Sequence, residues 1–248
     1  MLVIEATYGN PFQIRPFEKL VENALISLVE SGLKYGPVYI FGYHGKLQEL
    51  MQILHQNKVT MPFIVPEKVF KASKICERHG MRLGKYLLSS DEEAKALIEK
   101  NDAYVAFYHM NSRRYVGKDA LRINVSGWEF NSPKRQIADN EHIIALSDHA
   151  DFHGLLNYVR ESNPKLVITD DYRVGDAKVL AKEITKRLGI KAKPMPELEH
   201  AHWVPNRPSK VSSRTSSEIP EETIRKKVRK AAKKGKQNFQ IMNIDSYG

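Results

Sequence analysis

The chain has 248 residues, 42% of them hydrophobic and 27% charged, with 14 Gly and 12 Pro, a composition that fits a globular chain and excludes collagen, coiled-coil rods and disorder throughout. Cys76 is its single cysteine, which excludes an internal disulfide and a cysteine-built zinc site and points to the cytoplasm. The net charge of +10 is concentrated near the C-terminus: residues 206–236 carry 11 Lys+Arg against 3 Asp+Glu, whereas residues 1–205 carry 28 against 25, so a near-neutral body with a basic tail points to a polyanion, nucleic acid first.

Apolar runs rich in Val, Ile and Tyr alternate with helical periodicity, which predicts an α/β architecture. Leu2 to Ala6 reads as a strand; Leu20, Val21, Ala24, Leu25, Leu28 and Val29 then recur at helical spacing up to Ser31-Gly32. Val38 to Phe41 is a second strand, Lys46 to Gln56 a helix, Pro62 to Val65 a third strand, and 67–79 a helix ended by Gly80. Ser90 followed by Glu93 has the capping-box pattern, which predicts a helix over 91–100. Strands follow at 103–108, 121–125 and 142–146, the last two separated by the polar stretch 131–140, where a subdomain boundary is expected. A helix over 151–161, a strand over 166–169 and a helix over 175–188 with Gly189 as its C-terminal cap complete the folded part. The fold is expected to end near 200, with a proline- and serine-rich linker and a basic helical segment over 201–248 that orders on a partner. No run is long and apolar enough to be predicted to cross a membrane, and the N-terminus has no signal-peptide pattern.

Three polar segments sit immediately after apolar strands, where open α/β sheets place ligand-binding groups: Glu5 to Gly9, Ser147 to Asp151, and Thr169 to Tyr172. Each also has a plain structural reading. Asp148 or Asp151 can cap a helix, and Asp170 and Asp171 can form a side-chain-closed turn. His149, Asp151 and His153 bear zinc-type ligand atoms, but a helix starting at Asp151 separates the two histidines, so they do not form a self-contained metal site.

IEATYG at 4–9, GKLQEL at 45–50, SGW at 126–128 and LSDHADFHGLL at 146–156 occur in an order that resembles the β-CASP branch of the metallo-β-lactamase-fold nucleases, in particular the DNA-exonuclease and mRNA 3′-end-processing-factor-like members associated with DNA ligases. The resemblance covers roughly residues 1–195. It implies the C-terminal half of a metallo-β-lactamase αββα sandwich, formed by 1–35 and 131–200, with an inserted β-CASP subdomain at 36–130. It also implies hydrolysis of DNA or RNA phosphodiesters with two zinc ions. The HxHxDH motif that supplies most zinc ligands in that family is absent from this sequence, and the scattered His44, His55, His79 and His109 do not replace it.

By resemblance, Glu5 and His149 form the acid side of the site, where a carboxylate aims an imidazole that protonates the departing alkoxide. The resemblance places Asp170 or Asp171 at a zinc-ligand position that is a histidine in the family. Gly45 and Lys46 are expected to meet a phosphate, and Ser126, Gly127 and Trp128 to line the substrate cleft, with the indole stacking on a base. The chain is expected to be inactive alone, its zinc ligands coming from a missing N-terminal half or a partner polypeptide. An apolar edge and face of the half-sandwich are expected to be bare unless such a chain or a second copy covers them. The alternatives are a non-catalytic nucleic-acid-binding module and an inactive remnant.

Overall fold

The computed structural model describes residues 1–172 and 174–195; the linker and basic tail expected over 201–248 lie outside them. The elements run β1 (Leu2–Ile4), α1 (Glu18–Leu33), β2 (Val38–Gly42), α2 (Lys46–Gln56), β3 (Phe63–Val65), α3 (Glu67–Arg78), β4 (Tyr86–Leu88), α4 (Glu92–Lys100) and β5 (Val105–His109). After a 3₁₀ segment (Met110–Tyr115) come β6 (Leu121–Val125), β7 (Lys134–Ala138), β8 (Glu141–Ile144), α5 (Phe152–Ser162), β9 (Val167–Thr169), α6 (Ala177–Leu188) and β10 (Ala192–Pro194). The architecture is α/β, as the alternation of patterns predicts.

The larger sheet has seven strands in the order β4-β3-β5-β2-β6-β8-β7, parallel except for the antiparallel β7–β8 pair. Its central strands are apolar on both faces because both are covered. Val38, Ile40, Val105 and Phe107 pack under α1 and α2, against Leu25, Leu47, Leu50 and Leu54. The alternate residues Phe41, Ala106 and Tyr108 pack against Ala94 and Leu97 of α4. A fully buried side chain such as Phe107 contributes about 1.5–3 kcal/mol to this core. The smaller sheet, β1-β9-β10, is parallel. Ile4 and Val167 on one of its faces pack with Phe152, Leu155 and Val159 of α5 and Leu180 and Ile184 of α6. The other face carries Val3, 55% exposed, and exposed Lys193.

Four elements differ from expectation. The Ser90 capping box does not form: Asp91 is the N-cap, and its carboxylate accepts the Leu88 N–H instead of a helix N–H. The polar stretch 131–140 contains β7, so the break expected at 131 falls inside the large sheet. Every residue of β7 is exposed, as suits a polar edge strand that has no apolar alternation to betray it. β4 and β10, which were not expected, are three-residue strands at sheet edges.

At the start of β8, Glu141 Oε1 accepts hydrogen bonds from Arg113 Nε, Arg122 Nη2 (3.2 Å) and Asn124 Nδ2 (2.6 Å). Burial pushes the Glu141 carboxyl up, but the bonds from Arg113 and Asn124 and the two arginine charges outweigh it and hold the group below its ordinary range. Burial, then the charge of Lys134, pushes the neighbouring His142 imidazole down. Both groups therefore bind more protons unfolded than folded, and stability falls on acidification. The His142 contribution is lost first, below about pH 6.5, and the Glu141 contribution below about pH 4.3. Urea midpoints measured from pH 7 to pH 3 should fall accordingly. Glu141→Gln should be less stable at pH 7 yet flatter below pH ~4.3, and an unchanged acid slope would remove Glu141 from the account.

Candidate functional site

The chain passes from the small sheet to the large one through residues 5–17 and returns through 145–151, and both connections meet at the carboxyl ends of β1 and β9. Ile4 and Thr169 are register partners, and Asp170 N–H donates to Ile4 O at 2.8 Å. Glu5 and Asp170 therefore leave the sheet side by side, as parallel pairing requires. His149 arrives on the second connection, just before α5. There Asp151 acts as N-cap, its Oδ1 accepting Gly154 N–H at 2.9 Å.

Glu5, Ala6, Thr7, His149, Asp170 and Val174 line a cavity of about 140 Å³. His149 Nδ1 lies 3.4 Å from Glu5 Oε1 and 3.4 Å from Thr7 Oγ1. Glu5 Oε2 accepts Thr7 N–H at 2.7 Å, which fixes the carboxylate on its own turn. Both side chains are part-exposed, 34% for Glu5 and 41% for His149, so a ligand can reach them. Asp170 Oδ1 accepts Tyr172 N–H at 2.9 Å, closing a turn. Asp171 is exposed and does not line the cavity, so the structure brings Asp170, not Asp171, to Glu5 and His149. His153 is exposed beside Phe152, outside the cavity lining.

Trp128 is 51% exposed and stands edge-on to Tyr8, with ring centroids 5.1 Å apart. The same Tyr8 ring, itself buried, meets His149 edge-on at 6.0 Å. Ser126 Oγ accepts Trp128 N–H at 3.2 Å. Gly127 has no room for a side chain, since a Cβ there would lie 2.2 Å from the Tyr8 hydroxyl and 2.5 Å from Ser147 Oγ. Ser147 Oγ donates to the Tyr8 hydroxyl at 3.2 Å and accepts His149 N–H at 3.1 Å.

Gly45 opens α2 with φ of +88°, a conformation suited to glycine, and its N–H is taken by Gln48 Oε1 at 2.8 Å. Lys46 does not present an open ammonium. It is buried, and its Nζ pairs with Asp148 and, at 3.1 Å, with Glu49. The ammonium at the start of α2, where the helix dipole disfavours a cation, is thereby neutralised and tied to the residue preceding His149. His44 and His109 sit together at the ends of β2 and β5, ring centroids 5.4 Å apart. Burial, then the charges of His44 and Lys68, pushes the His109 imidazole down.

Sequence reasoning marked the segment Glu5 to Gly9 without giving Thr7 or Tyr8 a role, and it missed Arg15. Thr7 and Tyr8 lie inside the IEATYG motif and could have been included with it. The only signal for Arg15 was a charge within the run Ile14-Arg15-Pro16-Phe17. For metal chemistry the residues do not suffice: among the described residues no three His, Cys, Asp or Glu side chains converge to hold an ion, so they do not fit a two-zinc centre by themselves.

No family model matches the chain. It is 38% identical over 81 residues, 33% of its length, to a protein of Acidianus ambivalens named "Uncharacterized protein in lig 3'region". It is 26% identical over 174 residues, 68% of its length, to a protein of Opitutus terrae named "Probable DNA ligase". The chain spans 58% of the first relative and 16% of the second, so both extend beyond what they share with it.

Proposed function

We propose that this chain is a DNA-processing module of the β-CASP, metallo-β-lactamase-fold type that contributes the acid side of a phosphodiesterase site. The observation that carries the reading is the His149 imidazole set 3.4 Å from the Glu5 carboxylate in a cavity at the carboxyl edge of a parallel sheet. DNA is chosen because one relative is named a probable DNA ligase. The small sheet with α5 and α6 corresponds to the metallo-β-lactamase part, and the large sheet to the inserted subdomain.

In this reading a water oxygen bonds to phosphorus as the P–O bond to the leaving oxygen breaks, and His149 gives that leaving oxygen a proton. Glu5 and Thr7 hold Nδ1, so the proton leaves from Nε2, and the carboxylate stabilises the ring while it is charged. Asp170 lines the same cavity, and the groups that activate the water would come from outside the described residues. The bare face and edge at Val3 are where a completing polypeptide would lie.

The test is capture of the protein from its source cells through a C-terminal tag. The expected result is a longer chain, or a second polypeptide bearing HxHxDH, with DNA cleavage in the captured assembly. Arrival alone at 28.4 kDa, folded and binding DNA without cleaving it, would overturn the nuclease reading in favour of a binding module. Deleting 209–248 should weaken DNA binding and flatten its salt dependence, because fewer phosphate contacts release fewer counterions. An unchanged salt slope would give the tail another role.

A further inference from the structure

Arg15 lies in the first connection, is 6% exposed, and takes part in no chemistry described above. Among the described residues its guanidinium donates to two backbone carbonyls and to no carboxylate. Nη1 donates to Gly127 O at 3.0 Å and Nη2 to His149 O at 2.9 Å. The guanidinium carbon sits 4.6 Å from the Tyr8 ring centroid and 5.5 Å from that of Phe130. Arg15 N–H is taken by Asp151 Oδ2 at 3.0 Å, which fixes the backbone of this residue to the cap of α5.

Burying a cation against two neutral carbonyls is costly unless geometry makes use of it. A planar guanidinium can span two acceptors with fixed directions, and a lysine ammonium cannot. The two acceptors are unrelated in sequence: Gly127 O belongs to the turn carrying Trp128 after β6, and His149 O to the residue bearing the imidazole. Tyr8 supports both from below, edge-on to the indole and to the imidazole. An exposed indole and an imidazole that both abut the Tyr8 ring suit a single unpaired nucleotide, whose base would stack on the indole while its phosphate meets the imidazole.

We propose that Arg15 is the positioning residue of this site: by holding the Gly127 and His149 carbonyls on one guanidinium it couples base stacking at Trp128 to phosphate contact at His149. The proposal rests on the nucleic-acid reading above, and unpaired DNA is the substrate it fits, since a duplex hides the base faces that stacking needs.

The experiment is a double-mutant cycle, Trp128→Ala and His149→Ala in the full chain, read by binding of a fluorescein-labelled single-stranded DNA oligonucleotide. It is repeated in an Arg15→Lys background, which keeps the charge and loses the fork. With Arg15 present, the combined loss of affinity should differ from the product of the single losses by about threefold or more. In Arg15→Lys the losses should multiply independently. Equal coupling in both backgrounds overturns the proposal while leaving the nucleic-acid reading intact, as does tighter binding of the matched duplex. No binding by the unmodified chain at low salt overturns that reading and the proposal with it. Should Arg15→Lys fail to fold, NMR of the unmodified chain decides: resolved, slowly exchanging Arg15 Nη protons with cross-peaks to the Tyr8 ring are expected. Averaged, fast-exchanging Nη signals would refute the clasp.

Discussion

Gly175→Ala should lower the thermal midpoint and pull the Glu5 turn away from His149. A Cβ on residue 175 would lie 2.2 Å from Ala6 O, 2.7 Å from Ala6 C and 2.9 Å from Thr7 Cα. All three are backbone atoms, so no side-chain rotation relieves the overlap. Ala6 O is also the acceptor for Gly9 N–H at 3.1 Å and Asp176 N–H at 2.9 Å, so displacing it disturbs two further bonds. Such overpacking costs about 1–3 kcal/mol, and each kcal/mol lowers the midpoint of a chain this size by about 2–4 °C. Gly117→Ala is the control, because an added carbon there meets nothing within 4 Å. A calorimetric scan that finds the two variants equal would show that the segment before α6 moves independently of the Glu5 turn.

His149→Ala should lower DNA cleavage by the captured assembly about 10²–10⁴-fold, the range of a general acid, while binding changes far less. The acid acts on the leaving oxygen in the transition state, so its removal is felt in kcat more than in ground-state affinity. Glu5→Gln should fall in the same direction, since it keeps the turn-closing acceptor for Thr7 N–H but removes the charge beside Nδ1. Cleavage and binding that decline by the same factor would leave His149 its phosphate contact alone and remove the proton-donor role.

The large sheet was readable because its central strands are covered on both faces and so appear as apolar runs, Val38 to Phe41 and Val105 to Tyr108. The helices were readable because one face of each is apolar; α2, from Lys46 to Gln56, has the predicted bounds. β7 escaped because all its residues are exposed, and a strand with no buried face leaves no period in the sequence. In the site, Glu5 and His149 are visible as polar residues after strands. Their support is not: the Arg15 bonds join residues 112 and 134 positions apart, and such pairings depend on the fold, not on spacing. Local pattern also placed a side-chain cap on Ser90, whereas Asp91 takes the N-cap position and its carboxylate turns back to Leu88 N–H.

Among the described residues β1 has one neighbour in its sheet, β9, with Leu2 opposite Val167. During synthesis, therefore, the strand that leads into Glu5 waits for β9 until the large sheet between them has been made. The large sheet closes within residues 38–144 and can form meanwhile, but the cavity cannot. A nascent chain stopped at residue 145 should hold a folded large sheet with β1 not yet paired to β9. The Glu5–His149 pair is therefore among the last features of the molecule to appear, and an interrupted chain carries no working half of it.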